Sequence, residues 1–255
     1  MKTKTLDGRK VHYKDQGQGQ PVVLIHGFPV DHNAWNSVGE LLKDDFRVIQ
    51  PDLPGFGGSD LLPGEGSMAA YADWLAVLLE NLQASKAYIV GHSMGGYISL
   101  AFAKRHPELV AGLALVGSQV FADTDEARAR RANQCLELGT IGISVVMGMA
   151  QKLTKMGNHE AEIGGWIQRQ DPKAAIFALQ AMGSREDMAG FIAKTQLPTL
   201  LIHGDADELV PPAKAEAAAG LSPSAQLLMI RGVGHSPMIE SPEGTAKAIR
   251  DWASR

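Results

Sequence analysis

The amino-acid sequence predicts an α/β fold in which helices flank a mostly parallel central sheet. Short apolar runs alternate with helix-like segments, and each run ends in a turn that contains glycine or proline. The runs are apolar throughout rather than alternating, which is typical of parallel strands buried on both faces. These predicted strands cover residues 21–25, 46–50, 87–90, 113–116, 199–202 and 226–230.

Local patterns predict the remaining elements of this core. Residues 1–15 form two short amphipathic stretches around Asp7 and Gly8, which predicts an antiparallel hairpin ahead of the other strands. Helices are predicted over 68–82, 95–106 and 241–255, each between or after predicted strands.

One interval, residues 119–194, interrupts the alternation. It contains helix-like sequence and no convincing strand. Roughly 75 residues are too many for a loop without secondary structure of its own. We therefore predict a helical cap inserted after the sixth strand, with a core formed by residues 1–118 and 195–255.

Composition excludes several classes of function. With 24 Lys+Arg against 28 Asp+Glu, the net charge is −4 and no basic block is present, so nucleic acid is not an expected partner. No apolar run approaches the ~18 residues that a membrane span needs, and the amino terminus is too polar for a secretory signal, so we expect a cytoplasmic protein. The single Cys135 argues against a disulfide or a zinc site.

The segment Gly91-His92-Ser93-Met94-Gly95 fits the pattern G-x-S-x-G between a predicted strand and a predicted helix. This context is that of a nucleophile held on a sharp strand-to-helix turn. Glycines flank the turn because the strand and the helix approach closely there. Ser93 is the predicted nucleophile.

A serine nucleophile needs a base that titrates near neutral pH, usually histidine. Of the eight histidines, His235 lies on a glycine-rich loop between the last strand and the last helix, from where it can reach the end of the strand that precedes Ser93. His26 and His203 each precede a glycine at a strand end, and we expect backbone geometry to explain these pairs. His32 is expected to line the rim of the site or face solvent.

The imidazole needs a carboxylate that fixes its tautomer. Asp205, Asp207 and Glu208 follow one predicted strand in a single turn, and the residues alone do not decide between them.

The developing oxyanion needs two backbone N–H donors. Met94, directly after the nucleophile, is predicted to supply one; Phe28 is predicted to supply the other, since Pro29 has no N–H.

With these motifs in place, the chain resembles the α/β-hydrolase family over nearly its whole length. The matching pieces are His26-Gly27-Phe28-Pro29, Asp52-Leu53-Pro54-Gly55-Phe56-Gly57-Gly58-Ser59, Gly91 to Gly96, Gly204-Asp205-Ala206-Asp207 with Val210-Pro211, and Gly234-His235. The resemblance selects Asp207 as the acid, and it implies neither a metal nor an organic cofactor. It also implies that the helical insertion is a lid and that Asp52 is structural.

The predicted function is that of a serine hydrolase cleaving a small-molecule carboxylic ester with a small to medium acyl group. Phe28, Pro29, His32, Met147 and Trp166 are the predicted substrate-binding residues. Related reactions stay open: carbon-carbon bond hydrolysis, lactone hydrolysis, and perhydrolase or cofactor-free haloperoxidase chemistry. A non-catalytic binding protein with the same fold is the alternative from another class. Oligomeric state is not predicted.

Overall fold

Within residues 1–254, which the computed structural model describes, eight strands form a single sheet. In chain order they are β1 (Lys2–Leu6), β2 (Arg9–Gln16), β3 (Pro21–Ile25), β4 (Arg47–Pro51), β5 (Ala87–His92), β6 (Val110–Val116), β7 (Thr199–Gly204) and β8 (Ala225–Ile230). Their order across the sheet is β1-β2-β4-β3-β5-β6-β7-β8.

The sheet is mostly parallel, as predicted. β1 and β2 form an antiparallel hairpin, and β2 runs antiparallel to β4, whereas the other neighbouring pairs are parallel. The hairpin turns at Asp7 and Gly8, whose φ angles are 48° and 76°. A turn with two positive φ angles matches the twist of the flanking strands, which is why Asp-Gly favours it.

Ten α-helices accompany the sheet in the described part of the chain. They are α1 (Asn36–Leu42), α2 (Met68–Asn81), α3 (Met94–Arg105), α4 (Asp125–Ile141), α5 (Glu160–Gln168), α6 (Pro172–Gly183), α7 (Ala189–Ile192), α8 (Pro212–Gly220), α9 (Pro237–Glu240) and α10 (Pro242–Ala253). Short 3-10 helices cover His32–Trp35, Pro107–Leu109 and Ile143–Met149. Of the helix predicted over 241–255, Arg255 lies outside the described residues.

The chain between β6 and β7 contains α4 to α7, one of the 3-10 helices and no strand from residue 117 to 198. This is the helical insertion that the sequence predicts after the sixth strand. Its boundaries at residues 119 and 194 stay a prediction. No helix among residues 1–254 combines the length and apolar character that a bilayer crossing requires.

The sheet interior is apolar, and the carboxyl ends of its parallel strands meet at one edge. The side chains of Val22, Val23, Leu24 and Ile25 in β3 are fully buried, because strands of a parallel sheet are covered on both faces. The loops that follow β3, β5, β6, β7 and β8 therefore converge at this edge. All of the predicted catalytic residues lie in these loops.

Candidate active site

Ser93 occupies a strained turn between β5 and α3. Its φ and ψ angles are 50° and −113°, a left-handed conformation that is unfavourable for any residue except glycine. The neighbouring strand fixes this backbone: the Ser93 N–H donates to the Val116 carbonyl at 2.9 Å, and the Ser118 hydroxyl donates to the Ser93 carbonyl at 2.8 Å. The strand, turn and helix expected around a nucleophile are present.

Two glycines allow the close contacts of this turn. A Cβ on Gly91 would lie 2.2 Å from the Gly95 carbonyl oxygen, and a Cβ on Gly95 would lie 2.4 Å from the Ile25 carbonyl oxygen. Both distances are far shorter than a carbon-oxygen contact permits. The start of α3 is thus packed directly against the end of β3.

Asp207 and His235 are in direct contact. His235 Nδ1 lies 2.8 Å from Asp207 Oδ2, and the two residues are 2% and 4% exposed. Burial by itself raises the pKa of Asp207, but contacts with the imidazoles of His203 and His235 and the Val210 amide lower it well below its usual range. Asp207 is therefore a carboxylate at neutral pH and accepts the Nδ1 hydrogen of His235.

The other two carboxylates in this turn have different partners. Asp205 Oδ1 accepts the Gly232 N–H at 2.6 Å, and Glu208 forms an ion pair with Lys155 at 2.5 Å. Of the three acids, Asp207 is the one that contacts His235 within residues 1–254. The geometry agrees with the choice that the family resemblance favours.

His92 connects the turn of Ser93 to the loop of His235. Its Nε2–H donates to the His235 carbonyl at 3.0 Å, and the two rings lie 4.9 Å apart. Burial and the neighbouring His235 lower the pKa of His92 to about 3, so its ring is neutral. In the described chain neither the Ser93 hydroxyl nor His235 Nε2 forms a hydrogen bond. The imidazole therefore lies beside the turn of Ser93 without a bond to the hydroxyl oxygen.

The two predicted oxyanion donors are unpaired amides on adjacent loops. Neither the Phe28 N–H nor the Met94 N–H donates a hydrogen bond within residues 1–254. The Phe28 loop lies against the Ser93 turn, because a Cβ on Gly27 would be 2.5 Å from His92 Nδ1. Among the described residues neither amide has a competing acceptor, and their role as oxyanion donors stays a prediction.

The predicted substrate-binding residues lie in two regions. Phe28 and Pro29 are buried in the loop after β3, beside the Ser93 turn. His32 does not face solvent, because it is 8% exposed and its Nδ1 lies 2.6 Å from Asp52 Oδ1. This contact agrees with a structural role for Asp52, which also accepts the Gly58 N–H.

Met147 and Trp166 belong to the helical insertion. Met147 lines a cavity of about 500 Å³ together with Gln151, Asn158 and Glu160, and its lining does not include Ser93, Asp207 or His235. Trp166 is 8% exposed and packs in the hydrophobic core. Contact of either side chain with a substrate stays a prediction.

One group in the described chain has the spacing of metal ligands. Asp31, His32 and Asp52 place a ligand atom each within 4.8 Å of one another. These atoms already have protein partners: His32 Nδ1 pairs with Asp52, and Asp31 Oδ1 accepts two N–H groups of Asn33. The contacts explain the group as a structural link between the loops after β3 and β4.

Glu240 forms contacts next to His235 that the sequence did not indicate. Its carboxylate accepts the backbone N–H groups of Lys155 and Met156 at 2.7 Å each, and that of Gly234 at 3.1 Å. It therefore joins the helical insertion to the loop of His235. No side-chain pattern could reveal this link, because the partners are backbone amides about 85 residues earlier in the chain.

Comparisons with known proteins agree with this geometry. A family model described as the alpha/beta hydrolase fold matches residues 20–139. Lipase 3 of Moraxella sp. (strain TA144) is 31% identical over 98% of this chain and 84% of its own length. A thermophilic esterase from Thermogutta terrifontis, solved with malate bound, is 35% identical with a TM-score of 0.93 and covers 99% of this chain and 96% of that one. The enol-lactonase from Burkholderia xenovorans LB400 shares the fold, with a TM-score of 0.91 at 20% identity over 100% of both chains.

Proposed function

The chain belongs to the α/β-hydrolase fold family and is a hydrolase that acts on ester bonds, and we propose that it does so through an acyl-enzyme on Ser93. The observation that supports this most is the buried 2.8 Å contact between His235 Nδ1 and Asp207 beside the strained turn of Ser93. Because Nδ1 is occupied, Nε2 is the imidazole nitrogen that accepts the serine proton.

The proposed reaction has two halves. Ser93 Oγ attacks the ester carbonyl carbon while His235 Nε2 takes its proton, and the amides of Phe28 and Met94 stabilise the oxyanion. The carbon-oxygen bond to the alcohol then breaks, and His235 returns the proton to the leaving alcohol. In the second half, His235 removes a proton from water, whose oxygen attacks the acyl carbon. The bond from the acyl carbon to Ser93 Oγ then breaks, and His235 returns the proton to Ser93 as the acid leaves.

The proposed substrate is a small-molecule ester with a small to medium acyl group. Phe28, Pro29 and Met94 make the surroundings of the nucleophile apolar, which favours an aliphatic or aromatic acyl chain over a charged one. Residues 119–194 are proposed to form the lid, with Met147 and Trp166 among the residues that select the substrate.

A fluorophosphonate probe tests the nucleophile directly. We expect intact-mass and peptide analysis to find one label, on Ser93. Ser99→Ala is the matched control, because Ser99 lies on the same helix and bonds the Gly95 carbonyl. This variant should keep the label, whereas Ser93→Ala should lose it and lose about a million-fold in kcat on an aryl ester. Turnover retained by purified Ser93→Ala would exclude the mechanism, and absence of labelling in the wild type would favour a non-catalytic binding protein.

A substrate panel tests the choice of ester. Aryl and alkyl esters of graded acyl length are compared with lactones, a carbon-carbon bond substrate and a peracid-formation assay. We expect the highest kcat/KM for esters of short to medium acyl chains. A higher kcat/KM for any of the other classes would replace the ester proposal and keep the acyl-enzyme mechanism.

A further inference from the structure

His203 is a buried histidine that the proposed reaction leaves unused. It lies in β7, is 1% exposed, and stands four residues before Asp207. The sequence suggested only that His203 and Gly204 form a strand exit for backbone reasons. The structure places the His203 side chain against the catalytic acid.

The proton position on His203 follows from its partner. His203 Nε2 lies 2.8 Å from the Val210 carbonyl oxygen. A carbonyl oxygen only accepts hydrogen bonds, so Nε2 must carry the hydrogen. The same nitrogen lies 3.1 Å from Asp207 Oδ2, so this N–H faces the carboxylate as well as the carbonyl.

Asp207 is therefore held on both of its oxygens. Oδ1 accepts the backbone N–H groups of Leu209 and Val210 at 2.8 Å and 2.9 Å. Oδ2 contacts His235 Nδ1 at 2.8 Å and His203 Nε2 at 3.1 Å. Four N–H groups thus surround a carboxylate that burial alone would destabilise. His203 and His235 meet at the same oxygen atom.

We infer that His203 is a positioning residue for the Asp207–His235 pair. Its Nε2 lies 3.1 Å from Asp207 Oδ2, and the same nitrogen binds the turn after Asp207 through the Val210 carbonyl. The orientation of Oδ2 sets the orientation of the His235 ring, so His203 acts on the proton acceptor through the acid. This inference rests on the proposed function, because it assigns His235 as the base.

The first test uses the wild-type protein. Nitrogen-15 and proton NMR of the histidine side chains should find the hydrogen of His203 on Nε2 and that of His235 on Nδ1 at neutral pH. A His203 ring with its hydrogen on Nδ1 would overturn the inference, whatever the enzyme's activity.

The second test compares two variants. His203→Phe keeps a ring of similar size without a donor, and His203→Gln keeps an N–H donor at a similar reach. We expect His203→Phe to lower kcat on an aryl ester by about a hundredfold with little change in KM, since a misplaced catalytic group costs roughly that factor. His203→Gln should recover most of the loss, and the His235 Nδ1–H resonance should move in the Phe variant and return in the Gln variant.

A matched control separates positioning from general damage. His106 is a half-buried histidine that pairs with Asp73 at the end of α3, away from Asp207. His106→Phe should leave kcat and the His235 resonance unchanged. If the wild type is labelled at Ser93 and His203→Phe keeps wild-type kcat and resonance position, the inference is wrong. If the wild type is not labelled, the proposed function fails, while the NMR measurements still report on the contact between His203 and Asp207.

Discussion

His92 Nε2 donates a hydrogen bond to the backbone carbonyl of His235, 143 residues later in the chain. The residue before the proposed nucleophile therefore holds the loop of the proposed base. Because burial lowers its pKa to about 3, His92 keeps this donor and carries no charge at neutral pH. Burial of this ring has a cost in acid, where an unfolded chain can protonate the ring and the folded chain cannot.

His92→Gln should reduce the sensitivity of folding to acid. An unfolded histidine has a pKa of about 6.5, so between this value and about 3 the unfolded state binds a proton that the folded state excludes, and stability falls as the pH falls. From pH 7 to pH 5 this amounts to about 2 kcal/mol. Urea unfolding at the two pH values should show a loss smaller by that amount in the variant. Equal losses would mean that His92 is not kept neutral by folding.

Asp207→Asn should lower kcat on an aryl ester by about ten-thousandfold, because an amide cannot hold the His235 ring in the tautomer that leaves Nε2 free. Asp205→Asn is the control two residues away, since Asp205 binds only the Gly232 amide through its side chain in the described chain. Steady-state kinetics of the two purified variants checks this prediction. A comparable loss in both variants would point to the turn as a whole instead of to Asp207.

Gly95→Ala should destabilise the protein by several kcal/mol, because the new methyl group would lie 2.4 Å from the Ile25 carbonyl oxygen in a site that has no room to relax. Gly139→Ala tests the same substitution within α4, where no atom lies within 4 Å of the added carbon. This control should gain about 0.5–1 kcal/mol, as alanine does over glycine in a helix. Thermal and urea unfolding measure both, and stability unchanged in Gly95→Ala would contradict the packing of α3 on β3.

Glu240→Ala should free the segment at Lys155 and Met156 from the loop of His235. Both amides donate to the Glu240 carboxylate at 2.7 Å, so hydrogen exchange at residues 155 and 156 should accelerate, together with exchange at Gly234. Glu243→Ala removes an exposed carboxylate in the first turn of α10 and should leave these amides unchanged. Exchange measured by mass spectrometry or NMR decides, and unchanged protection in Glu240→Ala would show that other contacts hold the segment.

Much of the fold could be predicted because its signals are local. The run at 21–25 coincides with β3, and the pair Asp7 and Gly8 forms the predicted hairpin turn. The edges of strands were less accurate: β6 begins at Val110, three residues before the predicted run, because Gly112 interrupts the apolar pattern without ending the strand. Sheet pairing, and not residue type, decides where that strand begins.

Residues of the candidate site could be predicted only where the residue type and its position along the chain leave few candidates for a role. Ser93 and His235 can be recognised because each lies close to glycines in a turn. The turn after residues 199–202 instead contains three carboxylates, and the sequence alone does not distinguish between them. Two side-chain contacts of histidines were not predicted. His32 is buried on Asp52, and His203 contacts Asp207, because each side chain finds a partner that only the folded loops bring near.

The carboxylate of Glu240 has a consequence for protein engineering. Substitutions at Lys155 or Met156 will also disturb the backbone next to His235, since the Glu240 side chain binds both segments. Engineered changes in this segment should therefore alter kcat and KM together, and a compensating substitution is best sought near Gly234.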